Sequence, residues 1–370
     1  MRILKILSTL DPETGGPASV FSAAVLSIAD RGADVECLTL QPPFKNIASF
    51  PDYERMVKRG IKVHALRSHL HALLFLLRSI GTFDIVHVDG CWQSLCIAAL
   101  SIARLTGRAT VVTPHESLTK EEFRRTKSRV RLAIKRLLRL YYRAMADCII
   151  YSSALELGDS LSHPNAVIIR HPVFDDGHAS TAIEPREGFS TSGQIQVGYL
   201  GRFHFKKKVE NIVDAAMRTA NIGLLVAGTG PKEYEATLRA MSKSVERVKW
   251  LGFVQKDQRE EFFRRIDFLV LASEYECFGM SAAEALVRGI PVIVSERVGI
   301  ANDVREMQGG LVVEGDVESL SSAFSTCAGL DLARYETFQK NALVAAQLYS
   351  FSAHAIAQMG VYASLRPRLQ

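Results

Sequence analysis

Two glutamates, Glu276 and Glu284, flank a Phe-Gly step in the stretch Glu274–Ser295, EYECFGMSAAEALVRGIPVIVS. The apolar run FLVLA just before it reads as a buried strand that ends in a loop at Ser273–Phe278. Gly279 permits close backbone approach there. A helix then opens, and Gly289 closes it. The amides near Phe278, Gly279, Met280 and Ser281 point out of a helix N-terminus, a geometry that binds an anion such as a diphosphate. Glu276 lies in the loop at the carboxyl end of the strand and Glu284 in the first turn of the helix. Both carboxylates can therefore face one ligand, and carboxylates pair well with sugar or ribose hydroxyls. In isolation the pair would read as one solvated glutamate and one that stabilises a helix dipole. The strand–loop–helix context favours the ligand.

A second cluster is Val197–Lys208, VGYLGRFHFKKK. A strand ends at Leu200, Gly201 turns, and Arg202 leads into a basic loop. Arg202, a planar fork, and Lys207, a point charge, can reach one diphosphate together. A solvated basic loop is the bland alternative.

The segment CFGMSAAEALVRGIPVIVS resembles the E-x7-E signature of the retaining glycosyltransferases of family 4, which adopt the GT-B fold. The resemblance implies that Glu276 contacts a donor sugar and Glu284 the ribose of its nucleotide, with the amides of Phe278, Gly279 and Met280 at the sugar and phosphate. VGYLGRFHFKKK is similar to that family's GR-x4-K-G pattern, with Arg202 and Lys207 at the Arg and Lys. Lys208 stands at the usual Gly, so Lys206, Lys207 and Lys208 compete for the phosphate contact. LLVAGTGP resembles the family's G-x-GP and places Gly228 and Gly230 near the nucleotide. WLGFV resembles a strand end beside the base and places Phe253 and Val254 there. Strand one is followed by a Gly15-Gly16-Pro17 turn, and the family's loop at this place puts Gly16 near the donor phosphate. DIVHVDGCW and TVVTPHESL complete the likeness. His115 matches the family's active-site His on the donor sugar, and it lies at the carboxyl edge of a sheet, where open α/β sheets bind ligands. Asp89 and Glu116 depart from the family pattern on the acceptor side, so the acceptor does not carry over.

The elements that must position these residues alternate along the chain. Strands are expected at Met1–Leu7, Asp34–Leu40, Ile61–Leu66, Asp84–Val88, Thr110–Thr113, Asp147–Ser152 and Val167–Arg170. Helices are expected at Pro17–Arg31, His69–Ile80, Ser94–Thr106 and Lys120–Met145. After a Gly/Ser/Thr-rich stretch the alternation restarts at Gln196 and runs to a helical tail. This alternation leads to an expected α/β fold class of two Rossmann-like doubly wound domains facing a central cleft, and the family resemblance implies that it is GT-B. The expected division is an acceptor-side domain over 1–173, a linker over 174–195, a nucleotide-sugar-binding domain over 196–348, and a helix in 349–370 crossing back to the first domain. Tyr349-Ser350-Phe351 resembles the family's FSW-type start of that helix.

Composition bounds the rest. The chain has 370 residues, 48% hydrophobic and 23% charged, which is ordinary for a globular protein. Its six cysteines form no CxxC and no zinc spacing, which fits buried thiols in a reducing cytosol. The first ten residues read as a strand and not a signal peptide, and no apolar stretch reaches membrane-span length. The net charge is +6, but the first 175 residues hold 23 basic and 16 acidic residues. Most of that excess comes from the basic segment Lys120–Arg143, KEEFRRTKSRVRLAIKRLLRLYYR. It fits an anionic membrane surface or a phosphate-linked acceptor. Nucleic acid is not expected, because no aromatic platform accompanies the charge.

The resemblance implies a retaining enzyme that moves a sugar from a nucleotide diphosphate sugar, UDP- or GDP-linked, to a glycan or lipid-linked acceptor. Envelope polysaccharide or lipopolysaccharide synthesis is the expected setting, in the cytoplasm or on the inner face of the membrane. No Asp-x-Asp is present, so no metal and no further cofactor is expected. A nucleotide-sugar epimerase and a non-catalytic scaffold are the alternatives. A nicotinamide oxidoreductase is disfavoured, because no GxGxxG follows the first strand.

Overall fold

The computed structural model describes residues 1–11, 16–41, 45–176 and 194–365. It divides into two compact units, Met1–Gly177 with Ser350–Gln370, and His178–Tyr349. Residues 177–193, most of the expected linker, lie outside the described residues, as does Gly15.

The first unit is built on seven parallel strands: β1 (Arg2–Leu7), β2 (Asp34–Leu40), β3 (Lys62–Leu66), β4 (Ile85–Asp89), β5 (Ala109–Thr113), β6 (Cys148–Tyr151) and β7 (Ala166–Ile168). Their order is β3-β2-β1-β4-β5-β6-β7, so the chain reverses direction across the sheet between β1 and β4. Strands β1, β4 and β5 are almost wholly buried, as strands covered on both faces must be. One face carries α1 (Gly16–Ala29), α2 (Pro51–Lys58) and α15 (Phe351–Ser364), packed through Phe21, Val25, Met56, Phe351 and Tyr362. The other carries α3 (His69–Ser79), α4 (Ser94–Leu105) and α6 (Arg129–Met145), packed through Leu76, Leu95, Leu100 and Tyr142. Between α4 and α6 comes the short α5 (Lys120–Arg125), and α7 (Ala154–Asp159) follows β6.

The basic stretch expected as one helix over 120–145 is two. Thr126 leaves the helical region after α5, and the Ser128 side chain accepts from the Arg131 amide to start α6. Serine competes well for such N-cap positions and poorly for helix interiors.

The second unit repeats the plan on six parallel strands, β8 (Ile195–Leu200), β9 (Ile222–Ala227), β10 (Val248–Gly252), β11 (Phe268–Leu271), β12 (Val292–Ser295) and β13 (Gly310–Val313), in the order β10-β9-β8-β11-β12-β13. Its helices are α8 (Val209–Arg218), α9 (Lys232–Met241), α10 (Lys256–Arg264), α11 (Met280–Val287), α12 (Ala301–Met307), α13 (Val317–Ala328) and α14 (Leu332–Ala346). The direction reverses between β8 and β11, the crevice where open α/β sheets hold ligands.

Candidate active site

In the second unit the β8–α8 and β11–α11 loops flank that reversal point. Arg202 follows β8 after the single residue Gly201, is exposed, and its guanidinium has no partner among the described residues. The next turn bends through His204, whose side chain accepts from the Lys206 amide. Lys207 then reaches across the crevice to form an ion pair with Glu276. The link is reinforced by the backbone, since the Glu274 amide donates to the Lys206 carbonyl at 2.7 Å. Lys208 Nζ stands 3.8 Å from Glu274 instead. Of the competing lysines, Lys207 forms an ion pair with the first signature glutamate.

Lys208 has φ 50°, ψ 41°, the left-handed region. An L-residue is disfavoured there by roughly 1–2 kcal/mol. That is the physical reason a glycine suits this position, and the departure from the family pattern sits on a backbone that favours one.

The Glu276 segment is clamped from its other side. Its amide donates to the Arg297 carbonyl at 2.9 Å, and its carbonyl accepts from Gly299 at 2.8 Å. A Cβ on Gly299 would lie 2.0 Å from the Cys277 carbonyl oxygen, so only glycine permits this approach. The sequence reading did not single out Gly299, and its spacing gave no signal.

Gly279 adopts φ 106° and caps α11 with no side chain closing it. The first-turn amides of Met280 and Ser281 find no acceptor among the described residues. Phe278 is buried and packs edge-on against Tyr349 at 5.5 Å, while the Tyr349 hydroxyl donates to Asp303 at 3.0 Å. These contacts hold the backbone so that the start of α11 presents its amides. Glu284, one turn into α11, is paired with Arg259 of α10. Arg259 was not expected, because nothing in the spacing of α10 and α11 links them before they pack.

Gly228 and Gly230 have a packing role that the motif alone hid. The Gly228 amide donates to the Gly252 carbonyl at 2.7 Å, and a Cβ there would sit 1.9 Å from the Gly201 oxygen. A Cβ on Gly230 would meet the Phe203 carbonyl oxygen at 2.5 Å. Both glycines let the β9 loop lie on the Arg202 loop. Phe253 is largely exposed and Val254 half-buried just beyond β10.

In the first unit Gly16 opens α1, exposed and with open space around it. His115 and Glu116 follow β5 with φ 48° and 72°. Two successive left-handed residues persist only when neighbours over-determine them. The buried Glu156 carboxylate does so, accepting from the Glu116 amide at 2.7 Å and from the amide and hydroxyl of Ser152, each at 2.7 Å. The Glu116 side chain is turned to Arg125 at 2.8 Å.

Beneath His115 lies a buried polar chain. His115 Nε2 stands 3.0 Å from Asp89 Oδ1, and Lys5 Nζ 3.3 Å from Asp89 Oδ2. Burial alone would raise Asp89, but Lys5, His87 and the His115 hydrogen bond outweigh it and hold the carboxyl well below its usual range. An ionised carboxylate only accepts, so His115 donates from Nε2 and keeps Nδ1 for another partner. His87 joins Thr113 at 2.8 Å and Tyr362 of α15 at 2.6 Å, and His354 joins Gln358 at 3.0 Å. Burial, then the Lys5 charge, keeps His87 well below the ordinary histidine range.

Two doubly wound parallel sheets, each with a loop cluster at its reversal point, are the halves of the GT-B glycosyltransferase fold. Anabaena HepE, in a crystal structure with UDP and glucose, superposes with a TM-score of 0.75 at 18% identity, over 99% of this chain and 100% of that one. The profile for glycosyl transferases group 1 matches residues 181–342, and that for the glycosyl transferase 4-like domain matches residues 15–162. The chain belongs to the group 1, family 4-type glycosyltransferases. It is 30% identical over 119 residues to an uncharacterized glycosyltransferase of Methanocaldococcus jannaschii, a match spanning 31% of this chain and 30% of that protein. It is 23% identical over 337 residues to the N-acetyl-alpha-D-glucosaminyl L-malate synthase of Bacillus anthracis, spanning 86% of each.

Proposed function

We propose that the protein transfers a glycosyl group from a nucleoside diphosphate sugar to an acceptor hydroxyl, with retention at the anomeric carbon. The carrying observation is the set converging on one crevice: unpaired Arg202, Lys207 paired with Glu276, and the open first turn of α11. The bond from the anomeric carbon to the diphosphate breaks, and a bond to the acceptor oxygen forms. The leaving phosphate oxygen takes the acceptor's proton. Negative charge grows on that phosphate, so fixed cations and amides aimed at it lower the barrier. Glu276 holds the sugar hydroxyls and orients Lys207, while Glu284 takes the ribose. His115 and Gly16 carry the roles that the family resemblance gives them, on the donor sugar and its phosphate. No step requires a metal or a further cofactor. The acceptor is a glycan or a lipid-linked saccharide of the cell envelope, in line with the basic first unit.

The test is a panel of UDP- and GDP-sugars in EDTA, read by thermal shift and then by nucleotide release with and without added acceptors. One donor should stabilise the wild type, and Arg202→Ala and Glu284→Ala should weaken that shift. Release of free sugar at full rate without acceptor would point to hydrolysis or epimerase-type chemistry instead. Absence of any nucleotide binding would remove the donor site.

A further inference from the structure

The helix layer of α3, α4 and α6 has an outer surface unlike the rest of the molecule. Its inner side chains, Ala72 and Leu76 on α3, Leu95 and Ala99 on α4, and Tyr142 on α6, are buried against the sheet. The opposite side of α3 presents Leu70, Leu73, Leu74 and Leu77, with Leu70 64% and Leu77 62% exposed. These positions follow the i, i+3, i+4, i+7 spacing of a single helix face. On α6, Val130, Ile134, Leu137 and Leu140, at i, i+4, i+7 and i+10, form an exposed stripe along one flank of the helix, and Leu137 is 70% exposed. Leu105 ends α4 at 82% exposure. Scattered exposed leucines are ordinary, but a continuous stripe on each of two helices of one layer is not.

The charge on this layer has one sign. No Asp or Glu occurs in His69–Ser79, Ser94–Leu105 or Arg129–Met145. Arg78, Arg129, Arg131, Arg136 and Arg143 are exposed, and none has an ion-pair partner among the described residues. Along α6 the helical spacing puts Arg129, Arg136 and Arg143 in a row beside the leucine stripe. The acidic residues nearby in sequence are already engaged: Glu121 with Arg124 and Arg125, Glu122 with Lys135, and Asp147 with Arg104.

We infer that the α3–α4–α6 face docks on an anionic lipid bilayer, with the two leucine stripes dipping into the headgroup region and the arginines on lipid phosphates. Apolar stripes flanked by arginine, without any acid, match an interfacial helix. Stacking two copies through this face would oppose like charges, which disfavours self-association. The inference uses only the first unit and does not rest on the transfer reading.

The experiment is co-sedimentation of the full chain with phosphatidylcholine vesicles and with vesicles that also contain phosphatidylglycerol. Three double variants accompany it: Arg136→Glu/Arg143→Glu, Leu137→Glu/Leu140→Glu and Leu70→Glu/Leu77→Glu. All these side chains are exposed, so the variants should fold, and an unchanged melting temperature checks that. The wild type should pellet with phosphatidylglycerol vesicles and not with phosphatidylcholine alone. Partitioning should fall at least about fivefold for each arginine reversed, weaken at high salt, and fall in both leucine variants. No binding to phosphatidylglycerol vesicles overturns the inference. So does equal binding to both vesicle types. Loss only in the arginine variants overturns the insertion of the leucines. A concentration-dependent dimer that the leucine variants abolish, without vesicle binding, assigns the face to a second copy. Because nucleotide binding is read separately, failure here and failure of the donor site are distinguishable.

Discussion

The Asp89 carboxylate accepts a hydrogen bond from His115 Nε2 at 3.0 Å while its other oxygen faces the buried Lys5 ammonium at 3.3 Å. A residue that departs from the family pattern thus fixes the orientation and tautomer of one that matches it. Asp89→Asn keeps the shape but offers His115 an amide. Turnover should fall on the order of 10²-fold, the cost of a misplaced active-site group, with donor KM nearly unchanged. Steady-state kinetics on the donor identified by the nucleotide panel checks this. Equal loss in kcat/KM and in thermal stability would mean that Asp89 serves the fold only.

Acid should weaken the first unit before its carboxylates titrate. Burial, partly offset by its hydrogen bond to the Arg170 carbonyl, pushes His354 down to about 4 from the ordinary histidine value of 6.5. A lowered histidine binds its proton in the unfolded chain first, so stability is lost as pH falls from 6.5 toward 4. His87 and His171 shift the same way, mainly by burial. Thermal unfolding should show a lower midpoint at pH 5.5 than at pH 7.5. His354→Gln should flatten that difference, and a pH-independent midpoint would contradict the assignment.

Two glycines of the donor motif set should respond differently to the same change. Gly228→Ala puts a methyl 1.9 Å from the Gly201 oxygen at φ 140°, which should cost about 3 kcal/mol through overpacking and strain. Gly16→Ala meets nothing within 4 Å and should leave stability nearly unchanged while reducing donor affinity if its amide approaches phosphate. Chemical denaturation of both variants beside nucleotide titration separates the roles.

Lys208→Gly should not harm the protein. The left-handed φ of 50° costs lysine about 1 kcal/mol, part of which glycine returns through its greater chain entropy when unfolded. The expected result is unchanged or slightly raised stability and retained nucleotide binding. A large loss of binding would transfer the phosphate contact from Lys207 to Lys208.

Much of this protein was legible from local pattern. Buried strand runs such as FLVLA and DIVHV are apolar because parallel strands are covered on both faces, and the Phe278-Gly279 step marks a helix start through backbone freedom alone. Less local features escaped. The helices α2, of eight residues, and α12, of seven, span only about two turns and so show too little period to stand out, and the break at Thr126–Ser128 depends on a single capping hydroxyl. The pairings Arg259–Glu284, Glu156–Glu116 and Lys5–Asp89 join residues on different elements, and sequence spacing carries no distance between elements until they pack. The same holds for the leucines of α3. Their spacing shows a helix face, but whether that face meets the sheet or water was decided by which side Ala72 and Leu76 buried. The sequence by itself determined the alternation, the two sheets and the chemistry of the signature loops, because those follow from local apolar period and glycine. Only the tertiary structure decided which carboxylate meets which cation and which helix face stays uncovered, because both depend on contacts between elements distant in the chain.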